Sequence, residues 1–336
     1  MHAMYQGERK ADYYQGKTIL HNVPLTITTL MKIACLTKMG AKVTVTNPSF
    51  MYEDQQAIKI LAQENIAYLP LSQVSGRYDF LLDCGAELIE NCKANHGIVE
   101  LTRTGAIRYQ ELQQKQSQPV PIISVDDSRL KCLETCLGTG EGVYRAITQL
   151  AGVDLRHCNL LLFGFGKVGV GIAYYFSTIT PNISVVEPNT EKHHEIEKRN
   201  FKAIDGKLTD AVEQAAKAAD VIITATGIKD LISNLYSQTP FTGKILANAG
   251  AEDEFGYQFT DSQVLAEKKP VNFALKEPTL MQFLDPIFYA HNIALEEAID
   301  HPIAGYRSLQ TTIDRNIVKR WAKLHGWSLE KLDSIF

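Results

Sequence analysis

The stretch NLLLFGFGKVGVG, residues 159–171, decides the fold. An apolar run of strand character leads straight into Gly164, Gly166 and Gly169 at GxGxxG spacing, and the residues after that turn open a helix. Each glycine has a task there. Gly164 permits the tight turn, Gly166 lets backbone approach a pyrophosphate, Gly169 lets helix meet strand, and the free N–H groups of the helix start face the phosphates. Gly164, Gly166, Lys167, Val168 and Gly169 therefore read as the phosphate side of a dinucleotide site. Glu187 closes the next strand, ISVVE (183–187), 23 residues after Gly164. A carboxylate there accepts hydrogen bonds from the adenosine ribose hydroxyls and repels a 2′-phosphate, so the expected cofactor is NAD rather than NADP.

Two further strands follow at βαβ spacing, DVIITAT (220–226) and KILANAG (244–250). They place Thr224, Thr226, Gly227 and Asn248 at strand ends, where ligands sit in open α/β sheets; for each of them helix capping is the alternative. Upstream, KVTVT (42–46), YDFLLD (78–83) and VPIIS (120–124) read as strands, with helices over 26–39 and 53–65. CLGTGEG (136–142) reads as a hinge. Residues 301–327 read as one long amphipathic helix that could return to the first domain. The expected fold class is α/β with two domains, an NAD-binding Rossmann domain (139–302) inserted in an α/β substrate domain with a parallel sheet (1–138 plus 303–336).

Composition bounds the function. With 45% hydrophobic and 21% charged residues, and no apolar run long enough for a membrane span, the chain reads as globular. The opening MHAMYQGERKADYYQG has no apolar signal core, so a cytoplasmic location is expected. A formal charge of −4 without a basic, aromatic-interleaved block argues against nucleic acid and for a small-molecule partner. The six cysteines form no CxxC pair, and His193-His194 lies in a polar helix face, so no structural metal is expected.

The domain order and motifs resemble S-adenosylhomocysteine hydrolase. GFGKVGVG is similar to that family's GYGDVGKG, VVEPN to its strand-ending acidic motif, TATG to TTTG and NAGAEDE to NIGHFDxE. More weakly, PLTITTL resembles HMTxxTA, NPSFMYEDQQA resembles CNxFSTQDHAA, LLDCGAEL resembles LDDGGDL, VELTRTG resembles SEETTTG and VDDSRLK resembles VNDSxTK. The resemblance implies a recycled NAD that oxidises the ribose 3′ hydroxyl, so that the thiol leaves by elimination, water adds and the ketone is reduced again. It implies Lys131 as the base at that hydroxyl, Thr26 and Thr102 as substrate hydrogen-bonding residues, and Asn292 on the nicotinamide carboxamide. His301 falls near the adenine and hinge. It also implies a homo-oligomer, dimer or tetramer.

Other positions depart from the family pattern. Cys84 stands where the family has its C4′ acid/base aspartate, and Leu101 where a glutamate supports the lysine. Pro24 and Ala251 replace two histidines, and Glu134-Thr135 an Asp-Asn pair, with no clear counterpart of the family's intersubunit tail before Phe336. Cys84 and Glu134 are candidates for substitute acid/base roles. Arg103 either binds an acidic substrate group or faces solvent. The expected function is NAD-dependent redox chemistry at a secondary alcohol of a nucleoside-like or acidic substrate, with Lys131 as base. The alternatives are S-adenosylhomocysteine hydrolysis and a non-catalytic NAD or nucleoside sensor.

Overall fold

Twelve strands, every pair of them parallel, build two sheets in the computed structural model, which describes residues 12–115 and 119–336. Residues 1–11, on which the signal-core expectation mostly rests, lie outside that description. The first sheet contains β1 (Thr18–Asn22), β2 (Lys42–Thr46), β3 (Ala67–Tyr68), β4 (Gly76–Asp83), β5 (Cys92–Glu100), β6 (Pro121–Ser124) and β12 (Gly305–Ser308). Its spatial order is β12-β6-β5-β4-β1-β2-β3. The second contains β7 (Leu160–Phe163), β8 (Ile183–Glu187), β9 (Lys202–Asp205), β10 (Val221–Thr224) and β11 (Ile245–Asn248), in the order β11-β10-β7-β8-β9. Counted within that unit this is the 3-2-1-4-5 type of order, reversing beside its first strand, that a doubly wound nucleotide fold shows. Its central strands β7 and β10 are buried throughout, as a parallel sheet covered on both faces demands.

The chain divides into two compact units. One comprises the residues up to Lys131 together with Leu284–Trp327, the other Cys132–Phe283 with Ser328–Phe336. The chain thus crosses at 131/132, 283/284 and 327/328, whereas the sequence reading placed the crossings at 138/139 and 302/303. Residues 284–302 lie with the first sheet because the helix Met281–Asp300 buries His291 and Asn292 there, with His291 Nε2 3.0 Å from the carbonyl of Val99.

Two local expectations are corrected. CLGTGEG is no loop hinge but a π turn (Leu133–Gly138) running into the helix Thr139–Leu150. Its glycines serve packing, since a side chain at Gly140 would strike the backbone of Gly171 on the helix Lys167–Phe176. Residues 301–327 form the edge strand β12 and then the helix Thr311–His325, not one helix. All six cysteines are free thiols. Among the described residues no helix is long and apolar enough to cross a membrane, and no three metal-ligating side chains gather.

Candidate functional site

In the second unit the glycine turn follows β7, next to β10, where the strand order reverses and α/β folds hold ligands. Gly164 has φ +92°, a left-handed conformation that a side chain resists, and a Cβ there would lie 2.7 Å from the carbonyl oxygen of Ala225. At Gly169 a Cβ would lie 2.1 Å from the Gly164 carbonyl oxygen, so helix and turn touch backbone to backbone. In front of Gly166 there is open space. Gly166 caps the helix Lys167–Phe176 without a side-chain hydrogen bond, leaving first-turn N–H groups for an anion. Lys167 is exposed and Val168 packs against the apolar core of this unit. These features fit a dinucleotide pyrophosphate.

The neighbouring loops are locked from within. Glu187, at the end of β8, accepts from the N–H of Phe165 and of Asn189, both at 3.0 Å. Buried Glu254 accepts from the N–H of Thr226 (2.9 Å), its hydroxyl (2.7 Å) and the N–H of Gly227 (2.6 Å). The Asn248 amide accepts from Thr224 Oγ1 and Gly250 N–H, and donates to the carbonyls of Gly250, Glu252 and Lys268. Thr224, Thr226 and Asn248 therefore hold the rim in shape, and their polar side-chain atoms are engaged with protein.

In the first unit the strand register sets a polar row along the C-terminal edge. Thr46 pairs with Asn22, Asp83 with Glu100, and Glu100 with Ser124, while Asn22 Nδ2 donates to Asp83 Oδ1 at 2.9 Å. Asp83 also accepts from the Tyr109 hydroxyl (2.7 Å) and from the N–H groups of Cys84 and Leu88. Glu100 accepts from the N–H groups of Gly85, Ala86 and Thr102 and from the Thr102 hydroxyl. Burial, then the charge of Asp83, pushes Glu100 up to about 7 against the pull of those donors, and burial raises Asp83 as well. The loop bearing Cys84, itself buried, is thus tied at both ends to two carboxyls. Thr102 donates to Glu100 and accepts from Gly85 and Gly105 N–H, so its hydroxyl is saturated.

Lys131 is 6% exposed and sits in the short helix Leu130–Cys132. Asp314 on the helix Thr311–His325 accepts from the N–H groups of Arg129 (2.8 Å) and Leu130 (3.0 Å), which fixes the start of that helix. Asn292 is fully buried with both ends of its amide on Lys32: Oδ1 accepts from Lys32 Nζ at 2.7 Å and Nδ2 donates to the Lys32 carbonyl. Burial holds Lys32 well below the usual lysine range, and holds His21 and His291 low as well, with the charge of Lys32 assisting at both histidines. Arg103 is exposed, its guanidinium on Asp127 at 2.9 Å. Thr26 is half-buried with its hydroxyl 2.6 Å from that of Thr28, and His301 is exposed. Glu134 is half-buried in the π turn of the second unit.

Sequence reasoning missed Asp83, Glu100, Glu254, Lys32 and Asp314 as organising groups. The only signal was a charged residue at the end of an apolar strand run, as in YDFLLD and GIVE.

Two measurements test this geometry. Gly169→Ala forces a methyl onto the Gly164 carbonyl, and should cost about 1–3 kcal/mol in urea unfolding along with dinucleotide affinity. Glu100 binds its proton more readily folded than unfolded, so its contribution is complete below its ordinary value of 4.5 and is lost as the pH rises through about 7. The melting temperature should fall across that window, and less so in Glu100→Gln; equal slopes would mean that Glu100 is ionised throughout.

No protein-family model matches the chain. Adenosylhomocysteinase of Thermotoga maritima is 30% identical over 260 residues, 70% of this chain and 62% of that protein. S-inosyl-L-homocysteine hydrolase of Methanopyrus kandleri is 25% identical over 261 residues, 71% of this chain and 61% of that protein. The chain thus spans about three fifths of the length of these curated relatives. Among solved structures, a dipicolinate synthase subunit from Bacillus halodurans superposes with a TM-score of 0.59 at 10% identity, covering 85% of this chain and 99% of that one. The dipicolinate synthase chain from Bacillus subtilis gives 0.55 at 12%, covering 87% and 100%. Those two likenesses concern the fold alone. By sequence, the chain is homologous to the adenosylhomocysteinases.

Proposed function

We propose that the chain hydrolyses the thioether of a nucleosidyl homocysteine, S-adenosylhomocysteine or its inosine counterpart, by transient oxidation at the ribose 3′ carbon. The observation that carries this reading is the homology to both kinds of hydrolase, which extends over 70% of the chain. Bound NAD supplies the hydride acceptor and donor. The glycine turn and the free N–H groups of the helix Lys167–Phe176 would hold its pyrophosphate, and Glu187 its adenosine ribose.

Lys131, on a helix start pinned by Asp314, takes the proton from the 3′ hydroxyl. Thr26 offers a hydroxyl to the substrate. Cys84 and Glu134 are the proton carriers for elimination and hydration; the backbone of the Cys84 loop is held by Asp83 and Glu100. Thr102 acts through that loop rather than on substrate.

A second reading is favoured by Cys84 itself, a thiol at the position of a family carboxylate. A thiol near its usual pKa of about 8.5 is a weak substitute for a carboxylate in proton transfer. On this reading the chain oxidises a secondary alcohol of another nucleoside-like or acidic substrate, again with Lys131 as base, and performs no thioether cleavage.

Purified protein with S-adenosylhomocysteine or S-inosylhomocysteine and a thiol reagent should release free homocysteine steadily. Lys131→Ala should lower that rate about 10²- to 10⁴-fold. Growth of NADH absorbance without thiol release would favour the second reading, and Cys84→Asp restoring release would place the defect at that residue.

A further inference from the structure

We propose that Lys192 equips the dinucleotide site to accept a 2′-phosphorylated cofactor, NADP, as well as NAD. The inference rests on the dinucleotide reading above and concerns the ribose end of the same site.

A lone carboxylate at the end of the second strand rejects a 2′-phosphate by charge, and a basic side chain nearby accommodates one. Here the carboxylate is not alone. Glu187 has a side chain only 8% exposed, and each of its oxygens already accepts a backbone N–H, from Phe165 and from Asn189. Lys192 Nζ lies 3.6 Å from Glu187 Oε2 and donates to the carbonyl of Phe165 at 3.3 Å. Its side chain is 39% exposed. The ammonium therefore sits where the glycine turn and the end of β8 meet, more open to solvent than the carboxylate it neutralises.

Other polar and charged groups lie along this edge. Asp205, which pairs with Glu187 in register at the end of β9, is half-buried and accepts the N–H of Lys207, whose own side chain is exposed. His193 holds the Glu187 carbonyl with Nε2 at 2.8 Å, and His194 is the next residue on the same helix. The Lys192 ammonium thus offsets the Glu187 carboxylate at the strand end, with the half-buried Asp205 beside it and the exposed Glu191 next along the chain. A 2′-phosphate arriving here meets a solvent-facing lysine whose three donors are only partly used, and a charge-assisted contact forms without removing Glu187 from its backbone partners.

The test is direct binding of NAD and NADP, measured by calorimetry on wild-type protein, Lys192→Ala and Lys192→Met. Wild type should bind NADP within about tenfold of NAD, and both variants should shift the affinity ratio toward NAD by at least about tenfold. Rising salt should weaken NADP more steeply than NAD in wild type but not in the variants. NAD binding with no detectable NADP binding, or a ratio unmoved in both variants, overturns the assignment of Lys192. Binding of neither nucleotide overturns the dinucleotide reading itself, together with this inference.

Discussion

Asp83 and Glu100 stand side by side on adjacent strand ends, and the edge of the first sheet is organised around the cost of putting two carboxyls there. Like charges this close, away from water, cannot both ionise cheaply, so the fold surrounds them with donors while burial pushes both carboxyls above the usual carboxylate range. Most of those donors are backbone N–H groups of the turns that follow each strand. The carboxyls therefore act as anchors for loops, and the residues they anchor, Cys84 and Thr102 among them, inherit fixed positions. The second unit repeats the device with Glu254 beneath Thr226 and Gly227.

This arrangement explains what was legible in the sequence and what was not. The nucleotide-type unit could be read almost directly, because its requirements are local: a strand, a turn of glycines and the start of a helix lie within 13 residues, and ISVVE (183–187) forms a strand over its whole length. KVTVT was equally plain, since β-branched residues dominate it. By contrast TILHN forms a central strand while carrying His and Asn, and its assignment depends on neighbours at residues 42–46 and 80–82. GYRS is a four-residue edge strand that pairs with residues 121–124, nearly two hundred positions earlier, and nothing in its composition marks it.

Site residues divide along the same line. Gly164 and Gly169 could be assigned because backbone geometry leaves few alternatives to glycine. Asn292 could not, because an amide on a helix declares no partner; only the packing of Met281–Asp300 brings it to Lys32, and that contact spans 260 positions in the chain. Arg103 pairs with Asp127, 24 positions away, a partner that its type and spacing do not announce. Where a side chain's task is set by one distant partner, residue type and spacing carry little information about it.

The clamp of Asp314 on the helix bearing Lys131 has a consequence for the order in which the protein is made. Residues 130 and 314 are 184 positions apart, and β12, an edge of the first sheet, also begins only at Gly305. A nascent chain can therefore lay down the six earlier strands of that sheet while Lys131 still lacks this fastening of its helix. The second unit waits too, since Leu332 and Ile335 are buried in it and Arg199 donates to the carbonyl of Ile335. A chain synthesised only as far as residue 304 thus contains every strand of both sheets except β12, and lacks the Asp314 fastening of the Lys131 helix.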